Sequence, residues 1–195
     1  MDDNNKKKII EARNLTKDFV GVRALSNFSF DLDGGDIHCL VGENGAGKST
    51  FIKILTGAIL PSNGDIYVDG VKQNLLNPNI TRKLGIQAVY QDGELIPQIT
   101  VAENIFLGSS EVKQKLFINY KKIFKLAKKL IRELNLNIDA ERLYGDLSPS
   151  EQQFIKIARS IALKPKVLIL DEPTAVFNIN DIRSNIGQLI MAGSF

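Results

Sequence analysis

The sequence predicts an α/β fold with a substantially parallel sheet and a helical subdomain inserted into it. Three observations carry that prediction. Short strand-like runs alternate with helix-like segments through residues 9–90. One apolar run, Ile37-His38-Cys39-Leu40-Val41, leads straight into a glycine-rich loop and then a helix. The stretch 93–163 then reads as helical and is followed by a last, wholly apolar strand, Val167-Leu168-Ile169-Leu170.

Each element has a local reason. Residues 1–8 are polar and read as a disordered tail, so the domain proper spans 9–195. Strands are expected over 9–14 and 24–32; in the second, Leu25, Phe28, Phe30 and Leu32 lie mostly at period two. Asp33-Gly34-Gly35-Asp36 is a turn before the strand 37–41. A helix over 49–56 stops at Gly57, and a turn at 61–64 precedes a strand over 65–68. A short helix over 79–84 and a strand over 86–90 follow. In the helical stretch, Ile123, Leu126, Ala127, Leu130, Ile131 and Leu134 form one apolar stripe while lysines hold the other face. Ser148 or Ser150 caps a helix over 151–163, which Pro165 stops. A final helix-like stretch runs over 181–191.

Composition narrows the class. Of 195 residues, 44% are hydrophobic and 24% charged, and the net charge is +3. No dense basic stripe points to nucleic acid. The single cysteine, Cys39, excludes an internal disulfide framework and, inside an apolar run, reads as a buried structural thiol. The single histidine, His38, has no companion ligands for a metal site. No run approaches the roughly 20 apolar residues needed to span a bilayer, and the N-terminus is too polar for a signal peptide. The chain is therefore expected in the cytosol, with any membrane spanning done by another polypeptide.

Gly42-Glu43-Asn44-Gly45-Ala46-Gly47-Lys48-Ser49 fits the pattern G-x-x-x-x-G-K-[ST] at every fixed position. A triphosphate crowds negative oxygens into a small volume. Glycines let main-chain N–H groups of this loop, Asn44 and Ala46 included, approach those oxygens, and the following helix adds its positive dipole end. Lys48 supplies a full charge to the β- and γ-phosphates, Ser49 offers a hydroxyl to Mg²⁺, and Thr50 reaches the α-phosphate side. The second constellation is Asp171-Glu172 at the end of the strand 167–170. Asp171 suits magnesium, and Glu172 suits a general base for an attacking water.

The order of motifs resembles the ABC ATPases. GENGAGKST is followed by VYQD, then LSPSEQQ, then LILDEPT, and the likeness runs from about residue 9 to 174. The texture of VRALSNFSFDLDGGDIHCLVGENGAGKST and AVYQDGELIPQITVAENIFLG is most similar to the ATPases of bacterial simple-sugar importers, in their first of two tandem domains. This resemblance implies a P-loop NTPase that binds and hydrolyses Mg-ATP at the cytoplasmic face of the membrane. It implies transmembrane permease subunits, a second nucleotide-binding domain (in trans or in a lost tandem half) and, indirectly, a sugar-binding protein outside the cell. It assigns adenine stacking to Phe19, which from the residues alone reads equally as a core or strand-end aromatic. It assigns γ-phosphate and magnesium sensing to Gln91, and contact with ATP on the opposing domain to Ser148.

Three departures accompany the likeness. The signature reads Leu-Ser-Pro-Ser-Glu where the family has Leu-Ser-Gly-Gly-Gln, so Pro149 removes a donor and Ser150 adds bulk. Ala175-Val176-Phe177-Asn178 stands where many relatives have Ser-Ala-Leu-Asp. The resemblance also implies a further strand leading to a switch histidine; here the final strands of the core are expected to be missing, leaving an exposed sheet edge. A soluble ABC ATPase of another process and a module that binds ATP without hydrolysing it are the competing expectations.

Overall fold

The computed structural model describes residues 7–89, 95–107, 109, 113–114, 117–171 and 188–193. Contacts divide the chain into two compact units. One comprises the described residues of Met1–Ala88, Pro165–Pro173 and Ile186–Phe195; the other those of Val89–Lys164.

The first unit holds two sheets. Strands β1 (Lys8–Phe19), β2 (Val22–Asp33), β4 (Asn63–Val68) and β5 (Val71–Lys72) form an antiparallel sheet in the order β2-β1-β4-β5. Alternation along the sequence did not single out this sheet. β1 and β2 are longer than their apolar runs suggest, because cross-strand pairing continues through the polar segment to the pair Phe19 and Val22. Register shifts along β1 re-aim its side chains, so that Ile10, Ala12 and Leu15 all face inward, at 0–1% exposure.

The second sheet has the order β3-β10-β9-β6, from β3 (Ile37–Val41), β10 (Gln188–Gly193), β9 (Val167–Asp171) and β6 (Ile86–Val89). β10 pairs in parallel with β3 on one side and β9 on the other. This corrects the helix expected over 181–191: residues 188–191 are strand. It also supplies a core strand after Asp171 where none was expected. The physical reason is tertiary. Gln-Leu-Ile-Met-Ala-Gly carries no turn signal and suits either state, and two open parallel edges complete its hydrogen bonds.

Cys39 is exposed, against the expectation of a buried thiol. β3 lies at an edge of its sheet and its side chains alternate. His38 and Leu40 turn toward the core, where the His38 ring meets Phe30 edge-on at 5.2 Å. Cys39 and Val41 fall on the other face, and Val41 is 63% exposed.

Helix α1 (Lys48–Leu55) follows β3 and buries Phe51, Ile52, Ile54 and Leu55. The ring of Phe51 meets Phe28 and Phe30 at 4.8 and 5.1 Å between centroids. The same core draws Ile66 and Val68 from β4 and Val167 and Ile169 from β9. An eight-residue helix does not stand alone in water. Burial worth about 1.5–3 kcal/mol per large apolar side chain holds it here. Helix α2 (Pro78–Lys83) is capped by the Asn77 side chain.

The second unit contains α3 (Val101–Phe106), a small hairpin of β7 (Lys113–Gln114) and β8 (Phe117–Ile118), α4 (Tyr120–Glu133), a 3-10 turn over Tyr144–Asp146 and α5 (Pro149–Ala162). The hairpin interrupts a stretch expected to be helical throughout. On α4 the buried residues are Ile123, Ala127, Leu130 and Ile131, with lysines outward. Asn104, fully buried, accepts from the Ile96 N–H at 2.8 Å and donates to the Ile96 carbonyl at 2.9 Å, tying the loop before α3 to the helix. No helix among the described residues is long and apolar enough to cross a membrane.

Candidate functional site

The glycine-rich loop bridges the end of β3 and the start of α1. Two of its residues need glycine geometry: Gly45 at φ 85° and Gly47 at φ 89°. Gly47 is under a second constraint, since a Cβ there would sit 2.6 Å from the Ala24 carbonyl oxygen. The loop is thereby seated against β2. The Ala46 N–H donates to the Glu43 carbonyl at 3.1 Å and closes the turn.

Gly47 is the N-cap of α1 and offers no side-chain cap. Phe51 donates to the Gly47 carbonyl at 2.9 Å, but no carbonyl or side chain among the described residues takes the N–H groups of Lys48, Ser49 or Thr50. A typical N-cap is worth about 1 kcal/mol. α1 goes without one, and the burial of four apolar side chains outweighs that loss severalfold. The result is a cluster of outward main-chain donors at a positive helix end. Lys48 reinforces it: the ammonium donates to the carbonyls of Gly42 and, at 3.0 Å, Glu43, so it is held over the loop. Asn44, Gly45, Ala46 and Ser49 are exposed, while Gly42 and Thr50 are half-buried. This donor set suits a polyphosphate.

Asp171 ends β9, whose preceding residues Val167, Leu168 and Ile169 are fully buried. The sheet brings it to the loop. β3 and β9 both run parallel to the β10 strand between them, with Gly193 opposite Val41 and Ala192 opposite Asp171. Their C-terminal ends therefore share one edge, two strand spacings or about 10 Å apart. Ligands of open parallel sheets sit at that edge. Mg²⁺ takes few protein oxygens and completes its shell with phosphate and water, which the Ser49 hydroxyl and the Asp171 carboxylate suit. Among the described residues no group of three or more His, Cys, Asp or Glu side chains is arranged for a metal without phosphate.

Phe19 is a strand-end residue and not a core one: it is 48% exposed at the tip of the β1–β2 hairpin, with Val20 and Val22 exposed beside it. Val22 lies two residues before Ala24, the residue that abuts Gly47, so the tip neighbours the loop. Lys17, which the sequence reading passed over, holds its Nζ 5.1 Å from the centroid of the Phe19 ring. The i, i+2 spacing of a cation and an aromatic on one strand face was the available signal.

Ser148 belongs to the second unit, as the N-cap of α5, with Pro149 at the first helical position. Its N–H and hydroxyl donate to Glu151 Oε2 at 2.7 and 2.8 Å, and its Oγ accepts from the Glu151 N–H at 3.3 Å. Arg142 pairs with the other carboxylate oxygen at 3.4 Å. The Ser148 N–H, the Ser148 hydroxyl and then the Arg142 charge hold the Glu151 carboxyl below the ordinary range. Gln91, Glu172 and the segment 175–178 lie outside the described residues.

A family profile described as ABC transporter matches residues 25–175, which takes in the loop, the capping box of α5 and Asp171. The chain belongs to the ABC transporter family. Among ABC relatives, a ribose import ATP-binding protein of Rubrobacter xylanophilus is 40% identical over 90% of this chain and 35% of its own length. A xylose import ATP-binding protein of Thermoanaerobacter pseudethanolicus is 43% identical over 86% of this chain and 33% of its own length. The chain thus spans about a third of the length of the curated relatives it matches. The structure of an ABC transporter ATP-binding cassette in its ADP conformation superposes with a TM-score of 0.79 at 25% identity, over 96% of this chain and 81% of that one. A dimeric cassette in a post-hydrolysis state with ADP and Pi gives 0.76 at 25% identity, over 94% and 87%.

Proposed function

We propose that this chain is the ATP-binding and ATP-hydrolysing cassette of an importer that takes up a simple sugar through a separate membrane permease. The observation that carries the reading is the uncapped start of α1: outward N–H groups beneath the Lys48 ammonium, on the same sheet edge as Asp171. The names of the sugar-import relatives support the substrate class.

In this reading the cassette begins with β1 at Lys8, inside the tail of residues 1–8 expected from the sequence, because cross-strand pairing with Asp33 draws that residue into the sheet; its helical subdomain runs over about 93–163. The loop amides and Lys48 bind and orient the β- and γ-phosphates of ATP. Ser49, Asp171 and Gln91 would hold Mg²⁺, which neutralises charge on the transferred phosphoryl group. Glu172, next in the chain after Asp171, takes a proton from the water that attacks the γ-phosphorus. Phe19 stacks on the adenine. Ser148 contacts ATP bound to a second nucleotide-binding domain, and closure of that pair drives the permease at the cytoplasmic face of the membrane.

The first test is a fluorescent-nucleotide titration. Lys48→Ala should abolish Mg-ATP binding, because a charge-assisted contact to two phosphates is lost; unchanged affinity would overturn the proposal. Hydrolysis that rises with the permease and a sugar-loaded binding protein is the expected second result. Background turnover, equal in the chain and in Glu172→Gln with ATP still bound, would reduce the cassette to a binding module.

A further inference from the structure

The hairpin tip carries more than a single exposed aromatic. Lys17 and Phe19 stand on the same face of β1, and the Lys17 Nζ lies 5.1 Å from the ring centroid. The neighbouring Asp18 carboxylate is engaged by Arg23 at 2.7 Å, across the hairpin, and does not draw the Lys17 ammonium away. Val20 and Val22 leave the tip apolar and open to solvent. Its place beside the loop follows from the Ala24 carbonyl that abuts Gly47.

We propose that Lys17 is a positioning and specificity residue for the nucleotide base: it covers one face of Phe19 and leaves the opposite face as the stacking platform. The proposal rests on the reading of Phe19 as the base-stacking residue. The face of an aromatic ring carries negative potential, which repels the π cloud of a parallel purine. A cation on one face draws that density toward itself and relieves the repulsion on the other. The gain is greatest for an electron-rich base, so adenine is favoured over hypoxanthine, which lacks the amino group. The cation also narrows the rotation of an exposed ring before the base arrives, which lowers the ordering cost of binding.

The test compares dissociation constants of ATP, ITP and tripolyphosphate for the chain and for Lys17→Met, Lys17→Arg, Phe19→Ala and the double variant Lys17→Met/Phe19→Ala. Lys17→Met should weaken ATP about two- to fivefold and ITP less. Tripolyphosphate affinity and the melting temperature should not move. Lys17→Arg should retain ATP affinity, since guanidinium also sits over rings. In the Phe19→Ala background the Lys17→Met effect should vanish. If Phe19→Ala leaves ATP affinity unchanged, the stacking reading itself fails. If Phe19→Ala weakens ATP and Lys17→Met does not, or if Lys17→Met weakens tripolyphosphate equally, the role assigned to Lys17 is overturned while stacking stands.

Discussion

At the scale of single residues, the loop separates what a motif requires from what a fold requires. Gly45 and Gly47 share a left-handed backbone, yet only Gly47 has a carbonyl, that of Ala24, where a Cβ would go. Gly45→Ala should therefore cost about 1–2 kcal/mol of backbone strain. Gly47→Ala adds a steric clash with main chain and should cost more, lowering the melting temperature further and weakening nucleotide binding. Calorimetry of both variants checks this; equal losses would mean that the contact with β2 is not restrictive. The spacing of fixed positions announced the loop, because phosphate chemistry constrains residue types directly. The same reading missed Lys17, whose significance depends on Phe19 being exposed at a hairpin tip. It also misassigned Cys39. An apolar run says that a strand is present, but not whether both of its faces are covered.

At the scale of elements, α1 and α5 begin in opposite ways. α1 starts with no side-chain cap, while α5 starts with a closed capping box. That contrast was half legible: Ser-x-x-Glu signals a box in any sequence, whereas the uncapped start of α1 follows from glycine at the N-cap. The box has a pH signature. Because the Glu151 carboxyl is held below its ordinary range, its contribution is fully present above about pH 4.5 and is lost as pH falls through the folded-state value. The melting-temperature difference between the chain and Glu151→Gln should be constant near neutrality and shrink on acidification below about pH 4.5. A difference that does not change with pH would show that the carboxylate charge contributes nothing to the cap.

At the scale of the whole chain, the parallel sheet depends on a strand distant in sequence. β10 is the shared partner of β3 and β9, so it sets the spacing between the phosphate loop and Asp171. A chain cut before Gln188 should lose cooperative thermal unfolding and soluble yield. Melting followed by circular dichroism, with the same midpoint in the shortened chain, would refute that dependence. Periodicity could not reveal β10, since six residues without polar alternation fit helix or strand equally and only the gap between two edges decides. The placement of β10 has a consequence for biosynthesis. β3 ends at residue 41 and β10 begins at 188. At typical ribosomal speeds the nascent phosphate loop waits on the order of ten to thirty seconds for the strand that locks its sheet. Through that interval the emerging polypeptide presents an unfinished edge, whose unpaired N–H and C=O groups are open to another strand.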